Sequence, residues 1–277
     1  MQNVQLRRNF LKLVSMACPL GLLGFEPKTF GLTAADQQSS VPDAPVSDLF
    51  PTQAPELARE MVTVSHYDLH HVKELVEARP SLARAAWDWG FGDWETALGA
   101  ASHMGNRPIA EYLISKGARP SVFSSAMLGH LDVIKAFVAA QPGVQRIRGP
   151  HSISLLAHAK AGGEVSRPVF DFLQSLGDAG AEPLIPLTES ESASIQGSYE
   201  FGPAVNQQID VTVDHGQANW TRKGAMGRQL FHIGSRVFYP GGAPAVRISF
   251  REDSSTTLMT IEDPGVVLVA RRRHEQK

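Results

Sequence analysis

The chain has 277 residues, of which 43% are hydrophobic and 19% charged, enough apolar material for one or two ordinary cores and too much for a disordered chain. Its formal net charge of -2 excludes the basic field on which binding to nucleic acid depends. A single cysteine, Cys18, excludes an internal disulfide and a thiolate metal site.

The first 35 residues read as an address. Leu6-Arg7-Arg8-Asn9-Phe10-Leu11-Lys12 precedes a broken apolar stretch from Leu13 to Phe25, and Thr33-Ala34-Ala35 offers small residues for cleavage. This order resembles a twin-arginine signal peptide, with Leu6 where that pattern usually has Ser or Thr. The resemblance implies a signal over residues 1–35 and export of an already folded chain, so that the mature protein is periplasmic or secreted. The apolar run is too short and too interrupted by Pro19 and Gly21 to span a bilayer, so no stable membrane insertion is expected. Residues 36–55, with prolines at 42, 45, 51 and 55, read as a disordered linker.

Residues 56–183 reveal their organisation when laid against themselves. Ser65-His66 and Ser102-His103 stand 37 positions apart, and Val72 with Ile109 and Val76 with Leu113 keep that offset. Thr96-Ala97-Leu98-Gly99, Ala100-Ala101, Gly105, the apolar Ile109, Tyr112 and Leu113, and Gly117-Ala118 make the best copy, and Ala126, Gly129-His130 and Asp132-Val133-Ile134 begin another. A worn copy carries Ser154-Leu155, Ala159, Gly162, Phe170, Phe172 and Leu173. These residues resemble ankyrin repeats, which implies a stack of about four helix pairs with one finger loop deleted near Gly117 to Ser121. Small residues let the first helices approach closely, and Gly105 and Gly129 suit turns at positive φ. The first finger is aromatic: Trp87, Trp89 and Trp94, with Phe91 between them, are three of the chain's four tryptophans.

From Ile195 onward the period becomes two. Ile209, Val211 and Val213 alternate with Asp210, Thr212 and Asp214, and Val246, Ile248 and Phe250 alternate with Arg247, Ser249 and Arg251. The opening Gly197-Ser198-Tyr199 and this rhythm resemble the small lipocalin-like β domain appended to some β-lactamase-like and peptidase chains. In those chains the module is an accessory and implies no chemistry.

No nucleophile elbow, phosphate loop or dinucleotide fingerprint occurs in the sequence. His66 and His70, with Asp68 and His71 beside them, have metal-like spacing, but they fall on a turn between two predicted helices and read as exposed turn histidines. Arg271, Arg272, Arg273 and His274 read as a solvated end. The sequence therefore predicts a segregated α+β chain: an ankyrin helical repeat stack over 56–183, an antiparallel β barrel or sandwich over 189–273 and a tail at 274–277. The expected function is binding of an envelope or periplasmic protein partner through Trp87, Trp89, Phe91 and Trp94, with no catalytic residue, no metal and no cofactor. The alternative is a carrier of a small apolar ligand in the β domain.

Overall fold

The structure is a computed structural model, and it describes residues 49, 51–180, 185–222, 225, 227–254 and 256–273. The expected signal, most of the expected linker and the tail at 274–277 lie outside these residues. Among the described residues no helix is long and apolar enough to cross a membrane.

The helical region begins with α1 (Pro55–Val64) and α2 (Leu69–Ala78). It continues with α3 (Ala97–His103), α4 (Arg107–Ser115), α5 (Val122–Met127), α6 (Leu131–Ala140), α7 (Leu155–Ala161) and α8 (Arg167–Ser175). Polar side chains mark the starts. Asp68, Thr96, Asn106, Ser121 and Ser154 each accept a bond from a backbone N–H of the first turn. The first helices of successive pairs pack side by side, α1 on α3, α3 on α5 and α5 on α7, and the fully buried Ala100, Ala101, Ala126 and Ala159 keep that seam thin. Gly129 sits at φ +82, where a Cβ would run into the backbone carbonyl of Val165, so only glycine closes that turn.

The ankyrin stack expected for 56–183 does not form, and the array is irregular. Its helices run from six to ten residues. Its connections differ at every step: a 3₁₀ turn at Pro80–Arg84 leading into a β-hairpin, a short link before α5, then 3₁₀ turns at Val144–Arg146 and Pro150–Ser152. A connection sets the angle at which each pair meets the next, so unequal connections give no constant repeat.

The hairpin pairs β1 (Ala86–Asp88) with β2 (Trp94–Thr96), and Trp87 lies opposite Glu95.

The C-terminal part is a closed barrel of eight antiparallel strands, which settles the choice between barrel and sandwich. After α9 (Glu189–Ile195) come β3 (Gly197–Glu200), β4 (Gln208–Asp214), β5 (Gln217–Arg222) and β6 (Arg228–His232). Then follow β7 (Val237–Pro240), β8 (Arg247–Asp253), β9 (Thr256–Asp263) and β10 (Val266–Arg272). Each strand pairs with the next, and β10 closes on β3 with Arg271 opposite Glu200. Tyr199, Phe238, Phe250 and Met259 pack into the barrel core, as expected for an interior that eight strands make just wide enough for side chains. Tyr199 donates to the Ile195 carbonyl at 2.8 Å, tying α9 to the barrel.

The helical region and the barrel are not segregated. Phe91, at the tip of the hairpin, packs against the barrel core and stacks on Trp220 with ring centroids 5.8 Å apart. The Gly242 N–H donates to Ser152 Oγ at 2.8 Å, and Arg228 Nη1 lies 3.4 Å from Asp93 Oδ2.

Candidate metal centre

The hairpin decides what lies at this junction. Strand side chains alternate, so the turn of the backbone that leaves Trp94 64% exposed sends Glu95 inward, where it is fully buried. A buried carboxylate without compensation costs several kcal/mol, so its neighbours matter. They are His66, just past the end of α1, His103, the last residue of α3, and His151, in the 3₁₀ turn that meets the barrel. One ligand atom from each of His66, Glu95, His103 and His151 lies within 4.8 Å of the other three.

The approach is specific. His103 Nε2 stands 2.9 Å from Glu95 Oε1, while His66 Nε2 and His151 Nε2 each stand 3.5 Å from Oε2. The 2.9 Å contact is out of line for a hydrogen bond, and Glu95 Oε1, His103 Nε2 and His151 Nε2 are buried atoms with no hydrogen-bond partner among the described residues. Oε2 is held from the other side by the Trp89 indole N–H at 2.8 Å.

The outer faces of two imidazoles are anchored. His66 Nδ1 lies 3.0 Å from the carbonyls of Val62 and Thr63, which can only accept, so Nδ1 carries the proton. His151 Nδ1 donates to Asp93 Oδ2 at 2.8 Å, and the His151 backbone N–H donates to Asp93 Oδ1 at 3.0 Å. With its proton on Nδ1, His66 presents an Nε2 lone pair to Glu95, and His151 does the same once it gives up its second proton. This carboxylate–histidine pairing is the outer-sphere device that fixes tautomer and ring angle at metal sites. Ligands about 2.0–2.2 Å from a tetrahedral ion stand roughly 3.4 Å apart, so the widest pair, at no more than 4.8 Å, needs to close by at most about 1.4 Å.

The electrostatics call for a positive charge at the centre. Burial alone would raise the Glu95 carboxyl, but His103 and His151 outweigh it and hold the group down at about 2. Burial works against charge on His151, yet its bond to Asp93, the close approach of Glu95 and the field of both carboxylates lift it to about 9. Without an ion, His151 therefore holds the compensating proton. His158, its ring 6.4 Å from that of His103, is pushed down to about 4, chiefly by burial and against the pull of its bond to the Ser154 carbonyl.

Sequence reasoning placed the aromatic residues of the finger together and gave them to a partner. In the structure they divide. Trp87 and Trp89 pack on the core of the helical region, Phe91 on the barrel, and Trp94 faces outward. His70 and His71 stay on the surface of α2, where they meet Glu74 and Glu60, and His66 joins a different set. A scan against protein-family models gives no match, and a comparison with curated proteins gives none either. The centre's other members, Glu95, His103 and His151 with Asp93 behind them, carry no local motif. The one signal was the repeated Ser-His pair, which puts His66 and His103 at matching ends of neighbouring helices with ring centroids 4.9 Å apart.

Proposed function

We propose that the protein holds a divalent transition-metal ion of the zinc class, bound by His66, His103, His151 and Glu95. The observation that carries this reading is the convergence of three imidazole Nε2 atoms on a buried carboxylate, with His66 and His151 anchored through Nδ1 so that their Nε2 atoms face inward. Three nitrogens and one oxygen suit zinc, nickel, copper or iron, whereas calcium and magnesium prefer six or more oxygens. Four side chains complete a tetrahedral set, the arrangement of ions that are held rather than used for catalysis.

The ligands come from the turn after α1, the hairpin, α3 and the turn that touches the barrel, so the ion would cross-link the whole junction. The twin-arginine pattern of residues 6–12 supports export to the periplasm or beyond. Such a route carries folded chains, and a centre without thiols keeps its ligands in an oxidising compartment. A second role, docking of an envelope protein on the finger, is favoured by Trp94 alone, whose ring stands exposed beside the centre.

Metal content after dialysis against zinc and removal of excess tests the reading. The purified chain should retain one equivalent, with Glu95→Gln and His103→Asn losing it and the surface pair His70→Gln, His71→Gln keeping it. In the cobalt form, the intense visible bands of a four-coordinate ion should appear. A folded parent that retains no zinc, nickel, copper or cobalt overturns the proposal.

A further inference from the structure

Two cavities open where the finger meets the mouth of the barrel. The inner one, about 230 Å³, is walled by Trp89, Gly90, Phe91, Trp220, Arg222 and Arg228. The outer one, about 170 Å³, is apolar, with Phe201, Ile209, Ile261 and Leu268 among its walls. They share Phe91, Trp220 and Arg222.

The inner wall contains two buried donors with nothing to bond. Arg228 is 8% exposed, and its position on β6, two residues before the core residue Leu230, aims it inward at the end of the barrel nearest the helices. Nη1 donates to the Gly241 carbonyl at 2.7 Å, but Nη2 has no hydrogen-bond partner among the described residues. Trp220 Nε1, also buried, has none either. Unmet donors inside a protein are uncommon because each forfeits the hydrogen bond it had in water. Gly90 borders this nitrogen, and a Cβ built on it would stand in ordinary contact with Nη2 at 3.9 Å.

The charge pattern orients a ligand. Among the described residues the inner wall carries two arginines and no carboxylate, Asp93 lying behind it against the other nitrogen of Arg228, while Asp263 stands on the outer wall. An anionic head belongs inside and an apolar body outside. An apolar cavity of about 150 Å³ takes a benzene ring, so the outer space fits a body of that size.

We propose that this junction binds a small organic acid, its carboxylate meeting Arg228 Nη2 and Trp220 Nε1 and its apolar body lying beyond Phe91 against Ile209, Ile261 and Leu268. The site adjoins the metal centre through Trp89 and through Arg228 beside Asp93, but it does not rest on an ion being bound there. Phe91 lines both cavities, so the hairpin that supplies Glu95 also borders the ligand.

Calorimetric titration of the full chain with phenylacetate and with the neutral phenylacetamide tests this, once with zinc and once with chelator. The acid should bind about tenfold tighter than the amide or better, the difference expected of a hydrogen bond to a charged group. Arg228→Gln should abolish the preference for the acid, and Phe91→Ala should weaken both ligands alike. If Arg228→Gln fails to fold, the contrast between acid and amide in the parent still decides. Equal binding of the two, or no heat from either at millimolar concentration, overturns the proposal whatever the chain does with zinc.

Discussion

Asp93→Asn is the most telling perturbation of the metal centre, because it removes a charge from behind a ligand and leaves all four ligands in place. Asp93 is 2% exposed and accepts two bonds from His151, one to the ring and one to the backbone. An asparagine has the same shape but only one acceptor oxygen. If that oxygen keeps the backbone bond, its NH₂ faces the ring and forces the proton of His151 onto Nε2, the atom that would bind the ion. Outer-sphere losses of this kind cost about 10- to 100-fold in metal affinity, equal to about 1.4–2.7 kcal/mol. The variant also strips Arg228 of its nearby carboxylate, so the metal-free melt should fall by about 1–3 kcal/mol. Competition against a chromophoric chelator, at a temperature where both proteins are folded by circular dichroism, separates the two effects. An affinity for zinc within twofold of the parent would refute the claim that Asp93 orients a ligand.

Three further outcomes are expected. Trp94→Ala should leave both the melt and zinc affinity unchanged, whereas Trp89→Ala should lower both, since only Trp89 packs on the core and bonds to Glu95; equal effects in thermal denaturation would remove the distinction drawn between them. Gly129→Val should cost about 3 kcal/mol in denaturant unfolding, because the side chain meets both a positive φ and the Val165 backbone, and an unchanged midpoint would count against the turn. His158 is held neutral by burial at about 4 against an ordinary 6.5, so the unfolded chain binds the proton that the folded chain refuses, and stability falls as pH drops through that window by up to about 3 kcal/mol. Relative to the parent, His158→Gln should be flatter between those two pH values in urea titrations, and parallel curves would show that His158 does not titrate there.

What could be read from the sequence was what short-range physics controls. The alternation of Ile209 with Val211, and of Ile248 with Phe250, marks strands that the barrel contains, because a half-buried strand announces itself over five or six residues. Gly105 and Gly129 do occupy positive-φ turns, at +69 and +82. The regularity of the array was not legible, since it depends on loops such as Gly117 to Ser121 and Gly149 to Ile153 whose angles no residue pattern dictates. Nor was the centre. Its ligands stand at 66, 95, 103 and 151, and only the closure of the whole junction brings the last to the others. His66 was weighed with His70, its neighbour at helical spacing, but the helix does not begin until Leu69, so the two never share a face.

The finger shows why aromatic residues clustered in sequence can mislead. Trp87, Trp89, Phe91 and Trp94 lie within eight positions, and a dense aromatic loop reads naturally as a surface for a partner. A two-stranded hairpin is marginal on its own, however, and this one has strands of only three residues. Packing has to supply what pairing cannot. Trp87 and Trp89 fasten one side to the helices and Phe91 fastens the tip to Trp220, so most of the aromatic area is consumed in fixing the hairpin. What the fixation achieves is the placement of Asp93 and Glu95, two acidic residues that could not be buried beside three histidines unless the backbone carrying them were held rigid. The aromatic residues and the carboxylates therefore form one device, and only Trp94, on the outward phase of the strand, is left over to meet something else.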